Sequence, residues 1–179
     1  MIAVFLLSAV NVGGRQAPSA ALKTLCADLG WKRAETLLAS GNIIADIGRA
    51  SPANAGKKLE AAIAEAFGFD SAVIVRTGDD LDDVIARQPF KSFEPKLLQT
   101  HFMAAAPTKA QIVALDAFNK GREDYVIDGR EMFIRYDGGI AQSKLTAPVL
   151  RRLLGTPGSA RNWNTVQKLR DRARALESG

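Results

Sequence analysis

The sequence predicts an α+β protein with two subdomains, of which the first has the ferredoxin-like element order βαββαβ. Two patterns lead to this fold class. Short apolar runs typical of strands alternate with segments whose apolar residues recur at helical spacing, and the same succession begins again halfway along the chain. The composition agrees, because 179 residues that are 47% hydrophobic and 24% charged can bury a sizeable core without disulfides or metals.

The first half accounts for the whole βαββαβ order. Ile2–Leu7 is a continuous apolar run, which is typical of a strand buried on both faces; a secretory leader is not expected, since no Lys or Arg precedes the run. Gly30 and Gly68 follow the two helical segments, at the position where a helix ends. The predicted elements are a strand at 2–7, a helix at 21–29, strands at 35–39 and 43–47, a helix from Ser51 to Gly68, a strand at 72–76 and a short helix around 81–85.

The second half repeats this order only in part, and we expect C-terminal helices in place of a last strand. The predicted elements are a strand at 98–105, a helix from Thr108 to Phe118, hairpin strands at 125–127 and 132–136, and helices at 145–154 and 163–176. We place the boundary near residues 90–95. This gives a ferredoxin-like subdomain at 1–90 and a second α+β subdomain with a basic C-terminal helix at 91–179.

Positive charge is concentrated at the end of the chain. The last 36 residues hold eight Lys and Arg against two Asp and Glu, while the whole chain has a net charge of +5. Such a segment can attract phosphate, nucleic acid or an acidic partner. On a helix, however, Lys168, Arg170, Arg172 and Arg174 flank the apolar stripe of 163–176 on both sides, so they also fit an ordinary solvated face.

The connection after the first strand is the first candidate binding site. About ten residues lead from this strand to the helix near Pro18, whereas such turns usually take about 2–6 residues. The connection contains Asn11, Gly13, Gly14 and Arg15. Glycines let backbone N–H groups turn toward one anion, and a guanidinium adds donors. The spacing matches neither a Walker loop nor G-x-G-x-x-G, and the alternative is a turn that only redirects the chain.

A Gly- and Pro-rich turn at 155–158 precedes the second candidate site. It leads to Ser159, Arg161, Asn162 and Trp163, at the predicted start of the last helix. Asn162 fits the role of N-cap and Trp163 fits a core position. A cation at a helix N-terminus opposes the helix dipole, and an anion bound to Arg161 would remove that conflict. A neighbouring carboxylate would remove it equally well.

The other reactive residues favour structural roles. The Asp-rich segment 79–83 lies at the start of a predicted helix that Thr77 caps, and it lacks the Gly and Glu of a calcium loop. Cys26 lies on an apolar helix face, and His101 has no Ser or Cys motif beside it, although a shifted pKa there would be a first sign of chemistry. With one Cys and one His, we expect no metal and no cofactor. No apolar run approaches the ~20 residues of a membrane span, so we expect no membrane partner and a cytoplasmic location.

Five stretches occur in the same order as in a known bacterial family: residues 7–14 (LSAVNVGG), 40–42 (SGN), 75–77 (VRT), 143–145 (SKL) and 160–166 (ARNWNTV). On these residues the chain resembles the family catalogued as domain of unknown function 1697. The resemblance implies two α+β subdomains of ferredoxin-like character and no assigned activity. The chain departs from the family at Ser8 and Ala9, where the family has Arg and Gly, and at Ser159, where it has Thr. If the family's Arg contacts an anion, this chain relies on Arg15 or Arg161.

Three classes of function remain open. The leading prediction is a non-catalytic or weakly catalytic module for an anionic ligand, such as a nucleotide or phosphorylated metabolite. The ligand would lie where the loop 11–15, the hairpin signal Ser40-Gly41-Asn42 and the turn 159–163 converge. The second prediction is a nucleic-acid-binding protein, which the pI of about 9.6 favours and the 7% content of aromatic residues does not. The third is an enzyme, for which no nucleophile motif or carboxylate pair identifies a reaction.

Overall fold

A computed structural model describes residues 1–38 and 41–179 and confirms the α+β class. These residues form two compact units. The first unit consists of Met1–Ile85 together with Gln167–Gly179, and the second unit consists of Ala86–Val166. Each unit contains one four-stranded antiparallel sheet.

The first unit has the predicted ferredoxin-like order. Its elements are β1 (Ile2–Leu7), α1 (Ser19–Asp28), β2 (Lys32–Thr36), β3 (Asn42–Asp46), α2 (Pro52–Phe67), β4 (Val73–Arg76) and α3 (Gly78–Ala86). The sheet order is β2-β3-β1-β4, with every neighbouring pair antiparallel. Right-handed crossovers and an adjacent hairpin produce this arrangement. Ala39, the last residue of the predicted second strand, lies outside the described residues.

The central strand β1 carries the core of the first unit. All six of its residues are buried, and the ring of Phe5 stacks on the ring of Trp31 with centroids 4.7 Å apart. Helix α2 packs Leu59 and Ile63 into the same cluster. Its end at Gly68, which takes a left-handed φ of 71°, is the predicted one. The long apolar run therefore is the buried strand that the sequence predicts.

The C-terminal helix α6 (Trp163–Ser178) differs from the prediction, because from Gln167 onward it belongs to the first unit and not to a second domain at 91–179. Its arginines explain this placement. Arg170 and Arg174 donate to the Asp82 carboxylate at 2.8 and 2.9 Å, and Arg172 donates to Glu35 at 2.6 Å. The apolar side of the helix, including Leu169, is buried as the periodicity predicts.

The second unit is a complete βαββαβ unit, which corrects the prediction of a partial repeat. Its elements are β5 (Leu98–Met103), α4 (Lys109–Asn119), β6 (Asp124–Asp128), β7 (Glu131–Arg135), α5 (Ala147–Leu154) and β8 (Gly158–Asn162), with 3₁₀ turns at Pro95–Leu97 and Ile140–Gln142. The sheet order β6-β7-β5-β8 repeats that of the first unit. Strand β8 occupies the segment predicted as a turn into the last helix. Its sequence GSARN has no β-branched or aromatic residue, so its strand conformation depends on pairing with β5.

The helices of the second unit cover one face of its sheet. Thr108 and Gln111 form a capping box at the start of α4, with reciprocal hydrogen bonds of 3.3 and 2.7 Å. Leu115 of α4 and Leu150 of α5 pack with the apolar side chains of β5 and β7. Within residues 1–38 and 41–179, no helix has both the length and the apolar character that crossing a membrane requires.

Candidate functional site

The loop from Asn11 to Arg15 closes on itself. The Asn11 N–H donates to the Arg15 carbonyl at 2.6 Å, the Arg15 N–H donates to the Val12 carbonyl at 3.1 Å, and the Asn11 side chain accepts from the Ala17 N–H at 3.0 Å. Gly13 and Gly14 take positive φ angles of 57° and 85°, which the tight turn requires. Both glycines are exposed. The loop therefore has an internal structural explanation.

The Arg15 side chain extends along the surface of the first unit. Its guanidinium donates to the Asp70 carbonyl at 3.4 Å and lies 5.8 Å from the centre of the Phe69 ring. This stacking is a favourable cation–π arrangement for an exposed arginine. It gives the guanidinium a protein partner on one side and leaves the side chain exposed on the other.

Asn42 is fully buried at the start of β3. Its side-chain N–H donates to the Leu37 carbonyl at 2.7 Å, and its own carbonyl accepts from the Leu37 N–H at 3.1 Å. These bonds hold the connection between β2 and β3, so the amide has a structural role. Ser40, the other predicted contact from this hairpin signal, lies outside the described residues.

Arg161 and Ser159 lie on β8 and not at a helix N-terminus, which removes the dipole conflict inferred from the sequence. Alternate residues of a strand share a face, and the Arg161 guanidinium donates to the Ser159 hydroxyl at 2.7 Å and to the Ala160 carbonyl at 2.8 Å. Only 6% of Arg161 is exposed. This burial lowers the pKa of Arg161 to about 10. Arg161 is thus an interior arginine with protein partners.

Asn162 and Trp163 have the structural roles that the sequence offered as alternatives to ligand binding. The Asn162 side chain accepts from the Asn164 N–H at 3.0 Å, which makes it the N-cap of α6. Its amide also donates to the carbonyls of Pro95 and Lys96 at 3.1 and 3.2 Å. Trp163 is buried, with its ring edge-on to Phe93 at 6.1 Å.

The predicted ligand contacts are thus divided between the two units. The loop 11–15 and Asn42 belong to the first unit, while residues 159–163 belong to the second. In each unit these side chains bind their own surroundings. Their joint binding of an anion remains a prediction.

The basic helix α6 has much of its charge paired within the first unit. Beside the pairs with Asp82 and Glu35, Arg174 donates to Glu177 at 2.7 Å. The hydrogen bonds from Arg170 and Arg174 lower the pKa of the Asp82 carboxyl, and those from Arg172 lower the pKa of Glu35. The Asp-rich start of α3 thus serves as the counter-charge for α6. In the part of the chain that the structure describes, no group of His, Cys, Asp or Glu side chains is placed to hold a metal ion.

A different residue, His101, provides the candidate site. It lies on β5 opposite Met132 of β7 and Ala160 of β8, so these three side chains share one face of the sheet. That face is the one that carries Met132 into the helix-covered core of the second unit. Only 2% of His101 is exposed, and both of its ring nitrogens lack a hydrogen-bond partner among the described residues.

The surroundings of His101 keep its imidazole neutral. Burial, followed by the positive charge of Arg161, lowers the pKa of His101 to about 4. A neutral imidazole has one nitrogen that donates and one that accepts. Leaving such a buried polar group without a partner costs about 1–3 kcal/mol. An interior position with this penalty requires an explanation.

Gly158 of β8 packs directly against the His101 ring. A Cβ atom at this position would overlap with Nε2, and it would lie 2.7 Å from Cε1 and 2.9 Å from the Phe102 carbonyl. Only a glycine therefore fits beside the ring. The absent side chain lets the imidazole lie close to the backbone of β8.

His101 forms part of the wall of a cavity of about 190 Å³ inside the second unit. Buried residues such as Leu145 and Leu150 form its interior, and exposed residues such as Ile140 and Thr146 mark its opening to solvent. The lining is mainly apolar. The full set of lining residues is Gln99, His101, Tyr136, Ile140, Ser143, Leu145, Thr146, Ala147, Leu150 and Ala160.

From the sequence, no function was assigned to His101, and a shifted pKa was named as the first sign of chemistry there. Its distinguishing feature in the sequence is that it is the one His of the chain and directly precedes the apolar residues Phe102 and Met103. What the sequence pattern could not provide was the small residue opposite it, because the segment of Ala160 was interpreted as a turn. Cys26, by contrast, is buried in the core as expected, and burial raises the pKa of its thiol to about 11.

The chain is similar to a protein family in sequence and to a solved structure in fold. A family model described as "Protein of unknown function (DUF1697)" matches residues 1–133, which include His101 but not the stretch 160–166. A solved structure of a conserved bacterial protein from Streptococcus pneumoniae is similar, with a TM-score of 0.69 and 19% sequence identity over 96% of this chain and 98% of that chain. At this identity the likeness concerns the fold. No curated protein matches the chain.

Proposed function

We propose that this chain binds a small molecule in the cavity beside His101. The chain belongs to the DUF1697 family of proteins of unknown function. The observation that carries the proposal is the cavity of about 190 Å³ itself, which has buried residues such as Leu145 and Leu150 in its wall and exposed residues such as Ile140 and Thr146 at its opening. A cavity with a mainly apolar lining and few polar groups is the usual form of a small-molecule site.

Ordered water is the competing occupant of this cavity. A cavity of about 190 Å³ has room for roughly six waters at ~30 Å³ each. Each buried water needs about two to four polar partners. Half of the ten lining residues have polar side chains, namely Gln99, His101, Tyr136, Ser143 and Thr146, but most of the lining surface is apolar. A molecule with a carbon skeleton matches this lining better than a cluster of waters does.

The proposal is tested by measuring the unfolding midpoint Tm of the full chain against a panel of fragments the size of one ring. Fragments that bind the folded state raise Tm. Ala160→Leu places a larger side chain in the cavity and is expected to abolish these shifts. Ala110→Leu, the same change at an exposed position of α4, is the matched control and should keep them. The proposal is overturned if no fragment raises Tm, or if Ala160→Leu responds as the control does.

The functions predicted from the sequence have less support from the contacts. An anionic ligand at Asn11, Gly13, Gly14, Arg15, Asn42, Ser159 and Arg161 would compete with hydrogen bonds that these segments already make. Nucleic-acid binding by the C-terminal segment would compete with the ion pairs of Arg170, Arg172 and Arg174. Oligonucleotide binding that weakens steeply with salt would nevertheless favour it. For an enzyme, His101 is the natural general base, but its low pKa makes it a weak one near pH 7.

A further inference from the structure

The cavity of the second unit lies at a position that a larger side chain fills in the first unit. The register of the first sheet pairs Phe5 with Val75, and that of the second sheet pairs His101 with Ala160. Val75 packs closely on helix α2, since a Cβ atom added to Gly56 would lie 2.8 Å from its Cγ2 atom. The Ala160 side chain ends at its Cβ atom, and the residue lines the cavity. The side chain at position 160 therefore limits the room in the cavity.

The residues that line the cavity are uncharged near pH 7. Among the described residues, the ten that form the lining include no Lys, Arg, Asp or Glu. Burial, followed by the charge of Arg161, lowers the pKa of His101 to about 4, so its imidazole is neutral. Burial raises the pKa of the Tyr136 hydroxyl, which stays protonated. A charged ligand that entered would lose its hydration without gaining a counter-charge in the wall.

Charges outside the lining do not compensate for this loss. Arg161 and Ala160 follow each other on β8, so their side chains lie on opposite faces of the sheet, and the Arg161 guanidinium donates to the Ala160 carbonyl at 2.8 Å. Glu123, a charge of the opposite sign, acts on Tyr136. Helix α5 begins at Ala147 in the cavity wall, but the partial charge at a helix N-terminus favours an anion by severalfold less than the desolvation of an ion costs.

The volume of the cavity limits the ligand to about one ring. The volume is about 190 Å³, and an apolar cavity of about 150 Å³ holds benzene. The additional space admits a small substituent on the ring. Leu145 and Leu150 offer apolar contacts to its carbon skeleton.

Resting on the proposed function, we infer that the cavity selects an uncharged molecule of about one substituted ring, and that Ala160 sets this size limit. Two pairs of probes test the selection by charge at constant size. Nitrobenzene and benzoate have the same shape, but only benzoate is an anion. Ethylbenzene and benzylammonium have the same number of non-hydrogen atoms, but only benzylammonium is a cation. Benzene serves as the smaller reference.

The experiment measures the Kd of each probe for the full chain near pH 7 by NMR titration. Each neutral probe is expected to bind at least about tenfold more tightly than its charged partner, because tenfold corresponds to only part of the desolvation penalty of a buried ion. This comparison needs no variant, so it does not depend on how a substitution affects folding.

Ala160→Val tests the size limit, since it introduces the side chain that the first unit has at the equivalent position. The variant is expected to bind ethylbenzene about fivefold or more weakly, because the larger side chain overpacks the occupied cavity. Benzene, which leaves room, should lose much less affinity. Ala110→Val, the same change at an exposed position of α4, is the matched control and should bind both probes as the unchanged chain does.

The other outcomes separate this inference from the proposed function. Equal binding within either charge pair overturns the selection by charge and leaves the proposed function standing, and tighter binding of benzoate than of nitrobenzene favours the anionic ligand predicted from the sequence. Unchanged binding of ethylbenzene in Ala160→Val overturns the size limit. If none of the five probes binds at millimolar concentration while other fragments raise Tm, the inference alone falls. If no fragment raises Tm either, the proposed function falls with it.

Discussion

The two units share one topology but fill equivalent positions with different chemistry. In the first unit, Phe5 of β1 lies opposite Val75 of β4, and the ring of Phe5 stacks on Trp31. In the second unit, the register places His101 of β5 opposite Ala160 of β8. An apolar ring beside a branched side chain is thus replaced by a polar ring beside a methyl group. The first arrangement belongs to a closed core and the second to a cavity.

At this position of the sheet, the side chains of the second unit pack less closely than those of the first. Close-packed cores of large apolar side chains maximise stability, and every missing methylene lowers it. A polar side chain without a partner adds a further penalty. Sites of binding are where proteins tolerate such departures. The proposed binding cavity thus lies at a position where the first unit has a closely packed core.

The largest expected effect is a difference in the free energy of unfolding between substitutions at the equivalent positions Phe5 and His101. Phe5→Ala should lower the free energy of unfolding by about 3–5 kcal/mol, because it removes the stacked ring from a core without exposure. His101→Leu should lower it by less than about 1 kcal/mol near pH 7, since it also removes an unpartnered polar group. Urea unfolding followed by circular dichroism measures both. A larger loss for His101→Leu than for Phe5→Ala would break the comparison.

The next effect is a pH dependence of stability that His101 contributes. The folded chain protonates His101 only near pH 4, while the unfolded chain does so near the ordinary pKa of 6.5. Between these values the unfolded state binds more protons, so stability is fully present above pH 6.5 and is lost as the pH falls toward 4. The loss amounts to about 3 kcal/mol for one group with this shift.

Unfolding measured between pH 4.5 and 7 isolates this contribution. The carboxyls of Glu35, Asp46 and Asp82, whose pKa values are lowered by their partners, lose their contribution below that range. His101→Leu should flatten the curve. An unchanged slope in the variant would show that the ring is protonated, or solvated, in the folded state.

A smaller effect concerns the close contact between β8 and the His101 ring. Gly158→Ala should lower the free energy of unfolding by about 1–3 kcal/mol, because its Cβ would collide with the ring and approach the backbone of β5. Gly138→Ala is the matched control in the same unit, since a Cβ there meets nothing within 4 Å. Equal stability of the two variants would mean that the ring is not held against β8.

The smallest effect is expected in the loop of the first unit. Gly13→Ala forces a left-handed φ of 57° on a residue with a Cβ, without any clash, and should cost about 1 kcal/mol. Addition of inorganic phosphate should leave Tm unchanged in both the variant and the original chain. A phosphate-dependent rise in Tm that Gly13→Ala removes would support the anion site predicted at Asn11–Arg15, and it would shift binding to the first unit.

The sequence predicted the fold further than it predicted the site. Periodicity and turn residues located β1, α2 and α4, because buried apolar runs and caps are local signals. Strand β8 was missed because GSARN has no strand preference of its own, and its pairing with β5 is a long-range effect. With β8 missing, Arg161 was interpreted at a helix terminus, and the position of Ala160 opposite His101 was not accessible.

The central claim is that the cavity of the second unit holds a small molecule. Crystal structures of the full chain soaked with single-ring fragments test it most directly. The account predicts fragment density in the cavity, in contact with Leu150 and Ala160. Ordered water in the cavity in every soak, with no fragment beside these residues, would contradict it.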